Sequence, residues 1–152
     1  DDLYRITDLT PLAGLTQLTT LDLDRNKIVD LAPLEGLTQL TVLDLSFNEV
    51  SDLTPLAGLT QLTTLDLQQN LITDLTPLAN LTQLTTLKLG RNEIVDLAPV
   101  AGLSQLTTLS LNPDSLGWEA WRWFLDWRQK NPVKQPEPFS GARWERRHAP
   151  RW

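Results

Sequence analysis

The sequence repeats itself every 22 residues, and this period constrains the fold more than any other feature. Leu makes up 33 of the 152 residues and recurs at fixed positions of the unit. Three leucine columns are Leu18, Leu40, Leu62, Leu84 and Leu106; Leu21, Leu43, Leu65, Leu87 and Leu109; and Leu23, Leu45, Leu67, Leu89 and Leu111. Near-identical units stacked at a fixed period indicate a repeat array whose units share one continuous core.

Each unit reads L-T-x-L-x-L-x-x-N-x-I-x-D-L-x-P-L-x-x-L-x-x and predicts one strand and one short helical turn. The alternation in L-x-L points both leucines inward, and so short a strand needs its copies beside it in a parallel ladder. The asparagine amide is expected to satisfy backbone groups where the chain leaves the strand. Proline presets the start of the helical turn on the far side. The predicted caps are Thr10, Thr54 and Thr76, with Asp30 and Asp96 where alanine precedes the proline.

This unit resembles leucine-rich repeats, and at 22 residues it is similar to the bacterial internalin-type class. Residues 1–116 are the predicted solenoid, truncated at its N-terminus within a repeat. The resemblance implies an α/β, right-handed solenoid with a parallel sheet on its concave face and 3-10 or helical turns on its convex face. It also implies a non-enzymatic scaffold that binds a protein or peptide. Tyr4 takes the asparagine slot and the family's helical N-cap is absent, so earlier repeats or a partner are expected to cover the first apolar layer.

The composition changes at the C-terminal end, where all six tryptophans lie. Residues 1–117 carry 5 basic and 15 acidic side chains, net −10, whereas residues 118–152 carry 8 and 4, net +4. Residues 117–131 are predicted to form a capping helix that seals the last coil, with a partner-binding helix as the alternative. The polar stripe of this helix is Glu119, Arg122, Asp126, Gln129 and Lys130.

Residues 132–152 are rich in proline, arginine and tryptophan and have no periodicity. A flexible tail is one interpretation. The other is a docking peptide that makes the chain a structural subunit of a larger assembly, or that pairs with the acidic solenoid of its own chain or, in a homo-oligomer, of another copy. The docking residues would be Phe139, Arg143, Trp144, Arg146, Arg147 and Trp152.

The outward strand positions vary while the framework is constant, so we expect partner binding on the concave face. The candidates are Asp22, Asp24, Arg25, Asp44, Phe47, Asp66, Gln68, Gln69, Lys88 and Arg91. Asp22, Asp44 and Asp66 stand on adjacent strands and allow three interpretations: a solvated ladder with Arg25 and Lys88 near its ends, a surface for a basic partner, or a calcium site. Calcium is disfavoured because it needs six to eight wrapped oxygens. Phe47 is either a binding hot spot or a side chain that only fills space against the turn at Asn48.

The remaining sequence disfavours catalysis, cofactors and membrane insertion. The chain has no Cys, a single His (His148) in the predicted tail, and no glycine-rich phosphate loop. No apolar run reaches the roughly 18 residues that a spanning helix needs. Nucleic acid is disfavoured because the acidic solenoid would repel phosphate, although the stretch from Arg143 to Arg147 combines cations with the stacking ring of Trp144. The absence of a leader segment favours an intracellular location.

Overall fold

The structure, a computed structural model, describes residues 5–111 together with Arg122, Asp126 and Gln129. Strands and single-turn 3-10 helices alternate through the described solenoid, one of each in every repeat, or coil. The strands are β1 (Thr20–Asp22), β2 (Val42–Asp44), β3 (Thr64–Asp66), β4 (Thr86–Lys88) and β5 (Thr108–Ser110). The 3-10 helices are η1 (Thr10–Leu12), η2 (Ala32–Leu34), η3 (Thr54–Leu56), η4 (Thr76–Leu78) and η5 (Ala98–Val100).

The strands form one open parallel sheet in the order β1-β2-β3-β4-β5. Each strand pairs with the next in a register of one full repeat, so Leu43 lies between Leu21 and Leu65. A three-residue strand is too short to persist alone, and the ladder makes each one depend on its neighbours. The solenoid architecture predicted from the period, with the sheet on the concave face and the 3-10 turns opposite, is confirmed.

The leucine columns form the core, but the first coil is an exception. Side chains of the middle coils, such as Leu59 and Leu65, are fully buried. In the first coil, Ile6 and Leu15 keep 44% and 48% of their surface exposed. Burial of one leucine contributes roughly 1.5–3 kcal/mol, so the stacking of coils is the main stabilising term. The first layer is therefore the least stabilised part of the described core.

The repeated asparagines tie neighbouring coils together. Asn48 accepts the Ile28 N–H on its Oδ1 at 3.0 Å. Its Nδ2 donates to the carbonyl oxygens of Leu23 at 2.9 Å and Leu45 at 3.0 Å, one in the preceding coil and one in its own. Asn70 and Asn92 repeat this pattern in the following coils. The predicted backbone role of the asparagine is confirmed, and it extends across the coil boundary.

Aspartate, not threonine, caps the 3-10 turns, so the threonine prediction is wrong. In every described coil an aspartate Oδ1 accepts the backbone N–H two residues later at 2.8 Å, as Asp52 does from Thr54. The threonine is already the first residue of the turn, which places its hydroxyl past the capping position. Threonine instead supports the cap: its hydroxyl donates to the aspartate and lowers the pKa of Asp8, Asp52 and Asp74.

We expect Thr54→Ala to raise the pKa of Asp52, because the hydrogen bond from the Thr54 hydroxyl is the main reason that this pKa lies below its ordinary value of 3.8. A depressed pKa means that the contact stabilises the fold above the ordinary carboxyl pKa and is lost as the pH falls through the depressed value. Carboxyl NMR titration measures both sites at once. Asp74 keeps its threonine in this variant and is the internal control; equal movement of both pKa values would contradict the prediction.

The C-terminal predictions lie largely outside the described residues. Arg122, Asp126 and Gln129, three members of the predicted polar stripe, are helical and exposed. The rest of residues 117–131 and the whole of residues 132–152 are not among those described, so the capping helix stays a prediction. Leu109, which lies in the last coil that this helix is predicted to seal, is buried. Among the described residues, no helix is long and apolar enough to cross a bilayer.

Candidate partner-binding surface

A row of aspartates runs across the outward face of the first three strands. The parallel register aligns Asp22 with Asp44 and Asp44 with Asp66. Each carboxylate turns back on its own chain, and its Oδ1 accepts the backbone N–H two residues later. The donors are Asp24 at 3.1 Å, Ser46 at 2.8 Å and Gln68 at 3.1 Å. These bonds fix the carboxylates in place through Oδ1 and leave each Oδ2 available for a different contact.

Lys88 occupies the next position of the row and neutralises one aspartate. Its Nζ lies 2.7 Å from Asp66 Oδ2, and the Asp66 side chain is only 8% exposed. A carboxylate so buried needs a paired charge and hydrogen bonds, and Asp66 has both. The solvated-ladder interpretation is therefore wrong for Asp66, because its register neighbour is a lysine long enough to fold over it.

The two remaining aspartates have no such partner in the described part of the chain. Asp22 is exposed and Asp44 is half-buried. Neighbouring parallel strands lie about 4.8 Å apart, so the two negative charges are close and repel each other. A cation placed between them would relieve that repulsion.

Four residues line up just beyond the carboxyl ends of β1 to β4, one from each coil, and we call them the edge column: Arg25, Phe47, Gln69 and Arg91. Each of these residues directly precedes one of the repeated asparagines, at the point where the chain leaves the strand. Their φ angles are 56°, 58°, 52° and 58°, in the left-handed region that favours glycine and asparagine. For other residues this conformation costs roughly 1–2 kcal/mol. Sequence reasoning missed it because none of the four residue types signals a left-handed turn.

Side chains of the edge column contact one another in pairs. The Arg25 guanidinium carbon lies 5.2 Å from the centroid of the Phe47 ring, and its Nε lies 3.3 Å from Asp24 Oδ2. Further along, Arg91 Nη1 donates to Gln69 Oε1 at 3.0 Å. Phe47 remains 36% exposed and lines an open pocket of about 590 Å³. Phe47 is thus exposed rather than packed away on the turn, and its role as a binding hot spot stays a prediction.

The last concave-face candidate and the tail complete the predicted site. Gln68 is half-buried and extends over Gly90, whose missing Cβ would stand 3.8 Å from Gln68 Cγ. The tail candidates Phe139, Arg143, Trp144, Arg146, Arg147 and Trp152 lie outside the described residues. Within residues 5–111 and the three helical residues, no group of three or more His, Cys, Asp or Glu could hold a metal ion, so the calcium interpretation has no ligand set there.

We expect Gln69→Val to lower the free energy of unfolding by about 1–2 kcal/mol, because a β-branched side chain strongly disfavours the left-handed region. The matched control is Gln68→Val, which places the same substitution one residue earlier, where φ is not positive. Urea unfolding followed by circular dichroism measures both variants. Equal losses of stability at the two positions would show that backbone conformation is not the cause.

Comparisons with known proteins agree with this architecture. A family profile described as Leucine Rich repeats (2 copies) matches residues 38–80. Internalin C2 of Listeria monocytogenes is 49% identical, covering 71% of this chain and 48% of that chain, with a TM-score of 0.70. The internalin inlF of the same organism is 36% identical, covering 79% and 42%, with a TM-score of 0.71.

A more distant structure supports the fold alone. A leucine-rich-repeat protein of Leptospira interrogans is 21% identical, covering 88% of this chain and 41% of that chain, with a TM-score of 0.72. No curated protein matches the chain significantly. The chain spans about half the length, or less, of these solved relatives. Its one-repeat strand register and its repeated buried asparagines, together with these matches, show that the chain is a leucine-rich-repeat protein similar to the bacterial internalins.

Proposed function

We propose that the chain is a non-enzymatic scaffold that binds a protein or peptide on the concave face of its sheet. Leucine-rich-repeat solenoids of the internalin type are generally protein-binding scaffolds and typically not enzymes. The observation that carries the proposal for this chain is the pair Asp22 and Asp44. Their carboxylates are held rigidly by backbone hydrogen bonds, stand side by side, and lack a cationic partner among the described residues.

The chemistry of the row favours a basic partner. The pair formed by Lys88 and Asp66 is an internal example of how a primary ammonium group seats on this row. A lysine or arginine of a partner, placed over Asp22 and Asp44, would make the same kind of charge-assisted hydrogen bond to their Oδ2 atoms. Such complementarity contributes to association rate and specificity, and it weakens as salt is added.

The test is a fluorescence-anisotropy titration with a labelled peptide of alternating lysine and serine. We expect the double variant Asp22→Asn/Asp44→Asn to bind it about ten-fold more weakly, a loss of roughly 1.4 kcal/mol. Asparagine keeps the Oδ1 acceptor, so the local turns are retained. The matched control is Glu35→Gln/Glu93→Gln, which changes the net charge equally at exposed positions off the outward strand face. Equal affinities for the two double variants would refute the concave-face site.

A second candidate function is suggested by the charge split between the −10 segment of residues 1–117 and the +4 segment of residues 118–152. In this alternative, the tail docks the chain into a larger assembly or onto another copy. Deletion of residues 133–152 separates the two proposals. Loss of self-association at low salt, measured by sedimentation, would support tail docking, whereas unchanged sedimentation at low and high salt would reject it.

A further inference from the structure

We propose that the edge column is a second docking surface, separate from the aspartate row and opposite to it in charge. We infer that it binds an extended acidic segment of a partner protein, with one apolar side chain between two carboxylates. Arg25 and Arg91 would receive the carboxylates, and Phe47 would receive the apolar side chain. The proposal does not depend on the basic partner assigned above to Asp22 and Asp44.

The backbone gives the first reason. All four residues of the edge column hold φ between 52° and 58°, where glycine or asparagine would avoid the steric cost. Two arginines, a phenylalanine and a glutamine stand there instead. The conformation of the turn therefore does not dictate these side chains, and their chemistry needs a separate explanation. Contact with a partner supplies one, since arginine and aromatic residues are enriched among interface hot spots.

The side-chain contacts give the second reason. Arg25 is held between the Phe47 ring and the Asp24 carboxylate, and the latter contact uses Nε. The Arg25 side chain is therefore already ordered, and because it is still 73% exposed, a ligand carboxylate can reach its guanidinium. Preorganisation of this kind lowers the entropy lost on binding. Phe47 beside it is exposed and is the one apolar residue among those that line the open pocket, so an apolar side chain of the partner can pack on its ring.

The spacing of the column gives the third reason. Arg25 and Arg91 stand three coils apart, and at about 4.8 Å per strand this separation is roughly 14 Å. Four residues of an extended peptide span about 13 Å, so carboxylates at positions i and i+4 match the two arginines. The side chain at i+2 lies on the same face of such a peptide and falls near Phe47 and Gln69. A peptide lying along the solenoid axis would satisfy all three contacts.

The probe is a labelled peptide with the central sequence Glu-Ser-Phe-Ser-Glu, compared with Lys-Ser-Phe-Ser-Lys, titrated against the full chain. We expect Phe47→Asn and Arg91→Asn each to weaken binding of the acidic peptide about ten-fold. Asparagine is favoured at positive φ, so both variants should unfold at the same urea concentration as the parent or at a higher one. Weaker binding by a protein of equal or greater stability assigns the effect to the surface.

Three outcomes would overturn the proposal. The first is an affinity for the acidic peptide that stays within about two-fold in Phe47→Asn and in Arg91→Asn, since hot-spot truncation costs more than this. The second is that Phe47→Asn and Arg91→Asn weaken binding of the lysine peptide as much as binding of the acidic peptide, which would mean that the edge column does not select carboxylates. The third is weaker binding of the acidic peptide by Asp22→Asn/Asp44→Asn, which would place it on the aspartate row. Unchanged or tighter binding by this last variant is the expected result, and it keeps the two surfaces independent.

Discussion

Asn70→Ala should lower the free energy of unfolding by about 3–5 kcal/mol, because it leaves several buried backbone groups without partners at roughly 1–3 kcal/mol each. In the parent chain, Asn70 Oδ1 accepts the Val50 N–H at 2.9 Å. Its Nδ2 donates to the carbonyl oxygens of Leu45 at 2.9 Å and Leu67 at 3.2 Å. Asn70 is itself buried, so water cannot readily replace the lost amide.

The matched control for this prediction is Asn80→Ala. Asn80 has the same side chain, but it is exposed and lies just after η4. Its side chain makes no hydrogen bond to the described residues, so the substitution removes none. A change of less than about 0.5 kcal/mol is expected there. Urea unfolding monitored by far-ultraviolet circular dichroism reports on both variants. Since each coil contacts only its neighbours, the Asn70 variant should also broaden the transition by uncoupling the coils on either side. Similar urea midpoints for Asn70→Ala and Asn80→Ala would contradict the conclusion that the buried asparagines tie neighbouring coils together.

The period alone predicted most of the fold, and physical chemistry explains why. A column that recurs every 22 residues fixes which strand pairs with which, and it fixes the register as well. The direction of each leucine follows from the alternation in L-x-L. The pairing of strands that are distant in sequence is ordinarily the hardest part of a fold to predict, but in this chain the repeat length determines it. The polar role of Asn48 followed from its place at the end of the strand.

The errors arose where a side chain had a choice of partner. Sequence reasoning placed Asp66 and Lys88 in one row, but the closure of Lys88 over Asp66 depends on burial and on which carboxylate oxygen the backbone already uses. The cap was assigned to Thr54 because it precedes the proline, whereas Asp52 reaches the N–H of the first helical residue. The left-handed column was missed for a different reason: the coil geometry imposes φ there, against the preference of residues such as Phe47.

Leu59→Ala should destabilise the solenoid by about 2–5 kcal/mol, since it removes buried methyl groups and leaves a cavity between packed coils. The chain provides an unusually close control in Leu15→Ala. Leu15 and Leu59 occupy the same column, and their backbone N–H groups bond to the same 3-10 carbonyl position, on Leu12 at 2.9 Å and on Leu56 at 3.0 Å. They differ in burial, because Leu59 is fully buried and Leu15 is 48% exposed.

The same substitution at Leu15 should cost about 1 kcal/mol or less, because roughly half of the Leu15 side chain is in contact with water in the folded state as well as in the unfolded state. Helix propensity, side-chain entropy and local sequence are nearly matched between the two sites, so the difference between the two losses measures coil-on-coil burial. Urea titration of the full chain gives both values. If the two variants lost equal stability, the first coil would have to be as well packed as the middle ones. An additional test is to cover the first layer: a consensus repeat fused before residue 1 should bury Leu15 and raise the cost of Leu15→Ala toward that of Leu59→Ala.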